Sequence, residues 1–260
     1  MPLRIFDTHA HYNESVYDKD RESLFESMRA AGVERFTNIA VDLASSRIND
    51  AYTKQYDFIY GTVGVFPSDV KELEDDAAVA ELESLLDANP RLVAVGEIGL
   101  DYHYEDTDKP LQHKWFAGQM ELAARHKRPI VIHSRDAAQD TLALLKENHA
   151  EQIGGVMHCY SYSREMARDF LELGLYFGIG GVLTFKNARK LREAVEYLPL
   201  SSIVLETDAP YLAPEPFRGK RNCSSYLTYV AETIAEVKAL PVEEVYAACW
   251  ENACRLFGIE

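Results

Sequence analysis

Six residues drawn from distant parts of this chain have the side-chain types of a divalent-metal centre: His9, His11, Glu97, His133, His158 and Asp208. Imidazole and carboxylate are the usual ligands of divalent ions, and six donors exceed the four that one tetrahedral ion takes. A pair of ions roughly 3.5–4 Å apart, sharing one carboxylate, would use them all, and such a centre activates water for hydrolysis. His9 and His11 can reach one point, because residues i and i+2 of an extended segment point the same way. Taken alone, that pair also fits two histidines satisfied by loop hydrogen bonds. The other histidines, His103, His113, His126 and His149, fall in expected loops or helices and read as surface or loop residues. His103 is the least secure of these, since it follows the fourth strand.

The elements that would bring these donors together are eight short apolar runs, at 3–6, 35–41, 58–65, 92–95, 129–132, 155–157, 175–179 and 203–205. Near-continuous apolar runs suit parallel strands buried on both faces. Amphipathic stretches alternate with them. Residues 21–31 place Leu24, Phe25 and Met28 on one face and stop at Gly32, and 163–173 opens on a Ser163 cap and stops at Gly174. The stretch 242–257 ends at Gly258. Eight such units in 260 residues predict a single-domain α/β (β/α)8 TIM barrel spanning 1–260. The rival, a doubly wound open sheet, would be supported by a glycine-rich loop after the first strand, but Asp7-Thr8-His9-Ala10-His11 has no glycine. In a barrel the strand ends meet at one mouth. Asp7, His9 and His11 (strand one), Glu97 and Asp101 (strand four), His133 (strand five), His158 (strand six) and Glu206 and Asp208 (strand eight) would all lie there.

Composition excludes several classes. Hydrophobic residues are 47% and charged residues 27%, and no apolar run is long enough to span a membrane. The N-terminus reaches Asp7 too early for a secretory signal, and the four cysteines, Cys159, Cys223, Cys249 and Cys254, have neither zinc nor disulfide-framework spacing. A reducing cytoplasm is therefore expected. The net charge of −15 argues against nonspecific adhesion to nucleic acid or anionic lipid. Positive charge is concentrated at Lys186, Arg189, Lys190 and Arg192 and again at Arg218, Lys220 and Arg221, whereas 69–87 holds eight acids against Lys71 alone. The acidic stretch reads as a solvated outer helix.

The segments FDTHAHY (6–12), GEIGLDY (96–102), IHSRDA (132–137), HCYS (158–161), GIGGVLTFKNARKLR (178–192), ETDAPYLAP (206–214) and RGKRN (218–222) resemble the TatD family of metal-dependent deoxyribonucleases, amidohydrolase-like TIM barrels. The resemblance follows the family's motif order and implies roles. His9 and His11 would bind one ion, Glu97 would bridge, and His133 and His158 would bind the second. Asp208 would ligate the first ion and orient or deprotonate the attacking water, with Glu206 as a proton-handling or supporting carboxylate. Two departures stand out. Gly64-Val65-Phe66-Pro67 replaces the family's Gly-Val-His-Pro, so that histidine's role is missing or falls to His103 or Glu206. Cys223-Ser224 replaces an acidic residue and proline, which would alter the groove rim.

The same fold serves amidases, deaminases and phosphotriesterases, so substrate class must come from the site. Two divalent ions against Glu97 and Asp208 leave surplus positive charge to meet a phosphate. Arg135, Lys186, Arg218 and Arg221 are the expected anion contacts, and Tyr160, with Tyr102, Tyr104 and Phe185, could stack on bases or simply pack. The expected activity is hydrolysis of DNA phosphodiesters, and the family resemblance implies a 3′-to-5′ exonuclease preferring single strands, with RNA ends a second substrate. The alternatives are a hydrolase of carboxylic amides, esters or lactones, including aminoacyl esters of tRNA, and a binding protein without catalysis. The ions would be magnesium, manganese or zinc. Imidazole donors favour the softer ions, and the family resemblance implies magnesium.

Overall fold

The computed structural model describes residues 4–260. Its elements alternate: β1 (Ile5–Ala10), α1 (Arg21–Ala30), β2 (Val33–Asn38), α2 (Leu43–Gln55), β3 (Ile59–Val63), α3 (Asp76–Ala88), β4 (Leu92–Asp101), α4 (Lys109–His126), β5 (Ile130–Arg135), α5 (Ala138–Glu147), α6 (Ala150–Ile153), β6 (Gly155–Met157), α7 (Arg164–Leu171), β7 (Tyr176–Ile179), α8 (Arg189–Tyr197), β8 (Ile203–Leu205), α9 (Leu227–Lys238) and α10 (Val242–Phe257). The strands pair in sequence order, all parallel. The ring closes just beyond β8, where Ala10 bridges Ala209. There the His11 N–H donates to the Ala209 carbonyl at 2.7 Å and the Asp208 N–H to the His9 carbonyl at 2.9 Å. This is the expected TIM barrel, and closure removes the open-sheet rival.

Local chemistry sets the helix boundaries. Asp42 and Ser45 form a reciprocal capping box at the start of α2, Asp108 caps α4, and Ser163 caps α7 as its position predicts. Gly258 ends α10 in the left-handed conformation. The acidic 69–87 stretch becomes a 3-10 turn (Val70–Glu74) followed by α3, whose outer face pairs Glu81 with Arg47 and Glu83 with Arg125.

The strands depart from their apolar runs in an instructive way. The first was expected at 3–6 and its start at Leu3, like residues 1–3 generally, lies outside the described residues; β1 runs on to Ala10. The fourth, expected at 92–95, continues to Asp101, and the fifth, expected at 129–132, continues to Arg135. Hydropathy ends each strand too early because these C-terminal extensions carry polar side chains that still lie in the ladder. His9, Glu97 and His133 are therefore held by strand backbone rather than by loops. The converse holds at 39–40 and 64–65, where residues of the apolar runs leave the ladder but stay buried, and at Val41, which is half-buried.

Gly99 shows how closely β4 and β5 approach behind this site. It pairs with His133, has φ +144°, and a Cβ there would stand 1.9 Å from the His133 carbonyl oxygen. Only glycine meets both conditions. Gly99→Ala is expected to destabilise the fold by about 1–3 kcal/mol through overpacking, read as a lower midpoint in thermal denaturation. An unchanged midpoint would show that the ladder can open there at no cost.

Candidate metal centre

The five strand ends bring nitrogen and oxygen donors within a few ångströms of each other at the mouth. His9 Nε2 stands 3.1 Å from His11 Nε2 and 3.4 Å from Glu97 Oε2. Asp208 Oδ1 lies 3.3 Å from His11 Nε2 and 3.7 Å from His9 Nε2. Donors at about 2.0–2.2 Å from one ion are separated by roughly 3.0–3.5 Å for octahedral or tetrahedral angles, so this cluster has the spacing of ligands around a shared cation. The other oxygen of Glu97 faces away, 2.8 Å from His133 Nδ1 and 3.8 Å from His158 Nε2. Glu97 thus stands between two groups of imidazoles. The donor set could bind metal.

Several donors are held from behind. Asp7, wholly buried, accepts the His9 N–H at 3.2 Å and the Thr207 N–H at 3.0 Å on one oxygen. Its other oxygen accepts the Thr207 and Ser224 hydroxyls, both at 2.6 Å. That carboxylate ties β1 to the segment carrying Glu206 and Asp208, where Asp208 takes a left-handed φ of 58°. Glu206 lies behind His158, accepting the Cys159 N–H at 2.6 Å and facing His158 Nδ1 at 3.1 Å. His9, His158 and Glu206 also offer atoms within 4.8 Å of one another, as do His9, His11 and Asp208. The bonds already made by Glu206 mark it as the group that orients His158. Gly178 leaves the room it needs: a Cβ there would stand 1.9 Å from Glu206 Oε2. His133 turns Nε2 toward Asp101 at 3.3 Å and packs edge-on against Phe66, ring centroids 4.6 Å apart.

Electrostatics follow from burial of so much charge. Burial pushes the Asp7 carboxyl up to about 7 despite four donors. Burial also opposes charge on His158, but Glu206 and Glu97 outweigh it and hold the imidazole up at about 10. His11 and His133 are likewise raised against burial, by Asp208 and by Asp101 with Glu97 respectively. His9 goes down, through burial and the stacked ring of His158. Burial would raise Glu97, yet His158, His133 and His9 hold it well below the usual carboxylate range. The buried carboxylates thus create a demand for positive charge that a metal ion would meet.

The two departures from the family pattern are resolved differently. Phe66 fills space against His133. His103 is half exposed beside Asp136 and Glu206 sits behind His158, so neither stands in its place. Ser224 is buried under the site on Asp7 and Tyr12 rather than at the groove rim.

Several expected substrate contacts require correction. Tyr160 is buried, its ring against Phe177 and its hydroxyl on the Ser163 carbonyl, so it packs the core and presents no face to a base. Arg221 is already held by Asp20 and the Val16 carbonyl over the Tyr17 ring. The basic run after β7 is not all loop: Arg189, Lys190 and Arg192 begin α8, with Arg189 paired to Glu193 and Arg192 to Glu236. Tyr102 is engaged by Asp140, His113 and Lys109. Among the described residues, Arg135, Lys186, Arg218 and Lys220 make no ion pair, and the Arg218 guanidinium lies over the Phe185 ring at 4.4 Å. Sequence reasoning missed Asp7 and Asp101 as supports, although both sit beside donors at strand ends.

Two expectations test the cluster as a metal site. Because imidazole must be neutral to ligate, raised groups such as His158 make metal compete with protons through neutral pH. Metal addition should release protons, and affinity should fall as pH falls; calorimetry in buffers of different ionisation enthalpy reads this, and binding without proton release would contradict it. His11→Ala should lower the metal content found by elemental analysis, whereas His149→Ala, at an exposed helix start away from the cluster, should leave it unchanged.

Comparison with known proteins agrees with this architecture. The family model for TatD related DNase matches residues 6–258. The chain is 44% identical over 257 residues to YabD of Bacillus subtilis (strain 168), described as an uncharacterized metal-dependent hydrolase, covering 98% of this chain and 99% of that one. It is 35% identical over 259 residues to YcfH of Escherichia coli (strain K12), described in the same terms, covering 98% and 96%. The crystal structure of YJJV, a TatD homolog from Escherichia coli k12, superposes with a TM-score of 0.94 at 30% identity over the full length of both chains. A mutant organophosphorus hydrolase from Deinococcus radiodurans shares the fold alone, at TM-score 0.65 and 13% identity over 99% of this chain and 94% of that one. With a matched profile spanning nearly all its residues and full-length relatives above 30% identity, the chain belongs to the TatD related DNase family of metal-dependent hydrolases.

Proposed function

We propose that the protein hydrolyses phosphodiester bonds of DNA, removing nucleotides from the 3′ end of single strands in the cytoplasm, with two divalent ions. His9, His11 and Asp208 would hold one ion and His133 and His158 the other, Glu97 standing between the two groups of imidazoles. The observation that carries this reading is the set of free cations, Arg135, Lys186, Arg218 and Lys220, around a mouth whose donors fit divalent ions, on a chain of net charge −15. A neutral amide or lactone would gain little from them, whereas a phosphate backbone gains at each contact.

Divalent ions in this pocket would supply Lewis acidity toward water and positive charge toward phosphoryl oxygens. The chain's own residues do the rest. Asp208, the most accessible carboxylate of the donor cluster, takes the proton of the attacking water. Glu206 fixes the His158 ring through Nδ1, so that Nε2 faces the mouth. Arg135, two residues beyond His133 at the end of β5, stabilises charge that builds on the phosphoryl oxygens. Lys186 and Arg218 hold phosphates farther along the strand.

Asp208→Asn and His133→Ala are each expected to lower kcat on a 5′-labelled single-stranded oligonucleotide by at least about 10²–10³-fold, with the far-ultraviolet circular dichroism unchanged. Lys186→Ala and Arg218→Ala should instead raise KM and flatten its salt dependence, by a slope of roughly 0.7 per lost phosphate contact. A parallel panel of carboxylic esters and lactones decides the reaction class. Turnover of that panel by protein that leaves both DNA and RNA oligonucleotides intact would end the phosphodiesterase reading.

A further inference from the structure

The four large apolar side chains that stand exposed among the described residues, Val16, Tyr104, Tyr211 and Leu212, all lie in segments that follow strand C-terminal ends, on the face bearing the metal-ligand cluster. Single exposed apolar residues are ordinary; four confined to one face of a barrel are a binding surface in outline. Tyr104 borders a separate cavity of about 590 Å³ lined also by Asp106, Asp108 and Lys71, where acids outnumber the one cation. The other three share one corner between β1 and β8.

Tyr211 is 52% exposed and held from several sides. Its N–H donates to the Asp208 carbonyl at 2.8 Å, its carbonyl accepts from Asn222 Nδ2 at 2.8 Å, and its hydroxyl donates to Glu14 Oε1 at 2.8 Å. The ring is thus fixed three residues from Asp208 with much of its surface in water. Val16 is joined to the same corner through its carbonyl, which accepts from Arg221 at 3.0 Å. Leu212 ties the corner to the turn after β7, where a Cβ on Gly181 would stand 2.1 Å from the Leu212 carbonyl oxygen. That turn leads to Phe185 with Arg218 over its ring, and to Lys186. A fixed aromatic on the same rim as free cations matches a ligand that has both a π face and negative charge. An unpaired nucleotide is such a ligand, and stacking on an aromatic side chain tolerates any base.

We propose that Tyr211, flanked by Val16 and Leu212, is the platform on which an unpaired base next to the scissile phosphate stacks; this rests on the phosphodiesterase reading above. A base can lie on the ring only outside a duplex, so preference for single strands originates at this corner rather than at the ions. The pinned ring loses little freedom when a base covers it, which makes the contact favourable without any base-specific hydrogen bond.

The test pairs side-chain and base deletion on the metal-loaded protein. Tyr211→Ala should weaken anisotropy-measured binding of a short fluorescein-labelled oligothymidylate with phosphorothioate links by roughly tenfold, and should raise KM for the ordinary strand while kcat changes little. Tyr211→Phe, which keeps the ring and loses only the bond to Glu14, should stay near wild type. On a strand abasic at both nucleotides flanking the 3′-terminal phosphate, wild type and Tyr211→Ala should bind alike. Equal losses on intact and abasic strands, or no loss on either, would overturn the platform. Base-dependent binding through Tyr211 without cleavage would overturn the hydrolase reading alone, and normal cleavage with binding indifferent to Tyr211 would overturn the platform alone.

Discussion

Glu97 sits almost wholly out of water between His9 on one side and His133 and His158 on the other, and the rest of the architecture answers to the charge placed there. Removing a carboxylate from water costs several kcal/mol unless cations and hydrogen bonds compensate. Asp208, Glu206 and Asp101 raise the demand, since all four carboxylates crowd the same imidazoles. Divalent cations held by the imidazoles and carboxylates together would meet it. A site that retains so much buried acid is difficult to explain by stability and is readily explained by affinity for positive charge.

Closure of the barrel and assembly of the site are one event. β1 and β8 meet through a short bridge, a few backbone bonds at their ends and the Thr8 hydroxyl on the Leu205 carbonyl. Asp7 reinforces that seam with bonds to His9, Thr207 and Ser224, so the strand bearing the first histidine pair and the segment bearing Glu206 and Asp208 are set relative to each other by a buried carboxylate. Positions fixed by packing within the ring need no loop ordering when substrate arrives, which is how a scaffold holds ligands within a few tenths of an ångström.

Around that seam the surface divides by charge. On the outer helices, cations such as Arg47, Arg125 and Arg189 are consumed by neighbouring acids. At the mouth, Arg135, Lys186 and Arg218 are left free, and exposed apolar side chains stand on the same face of the barrel. Shared fold with an organophosphorus hydrolase at 13% identity says nothing about substrate, because barrels of one shape carry many chemistries in their loops. Substrate choice rests on this rim.

Eight apolar runs and the residues that punctuate them were enough to specify a closed βα barrel, because burial on both strand faces and helix caps are local signals. The donor types were legible for the same reason: histidine and carboxylate at successive strand ends have few uses at once. Hydropathy could not show that β1, β4 and β5 extend through those polar residues, since a buried polar side chain in a ladder looks like a loop until its partners are known. Nor could it separate Arg221, consumed by Asp20 two hundred residues away, from Arg218, which is free. It could not distinguish Tyr160, buried on Phe177, from Tyr211, exposed three residues beyond Asp208. Residue type and local pattern determined which groups were present. Only the three-dimensional fold decided which neighbours neutralised, buried or exposed them, because those interactions depend on distances between segments far apart along the chain.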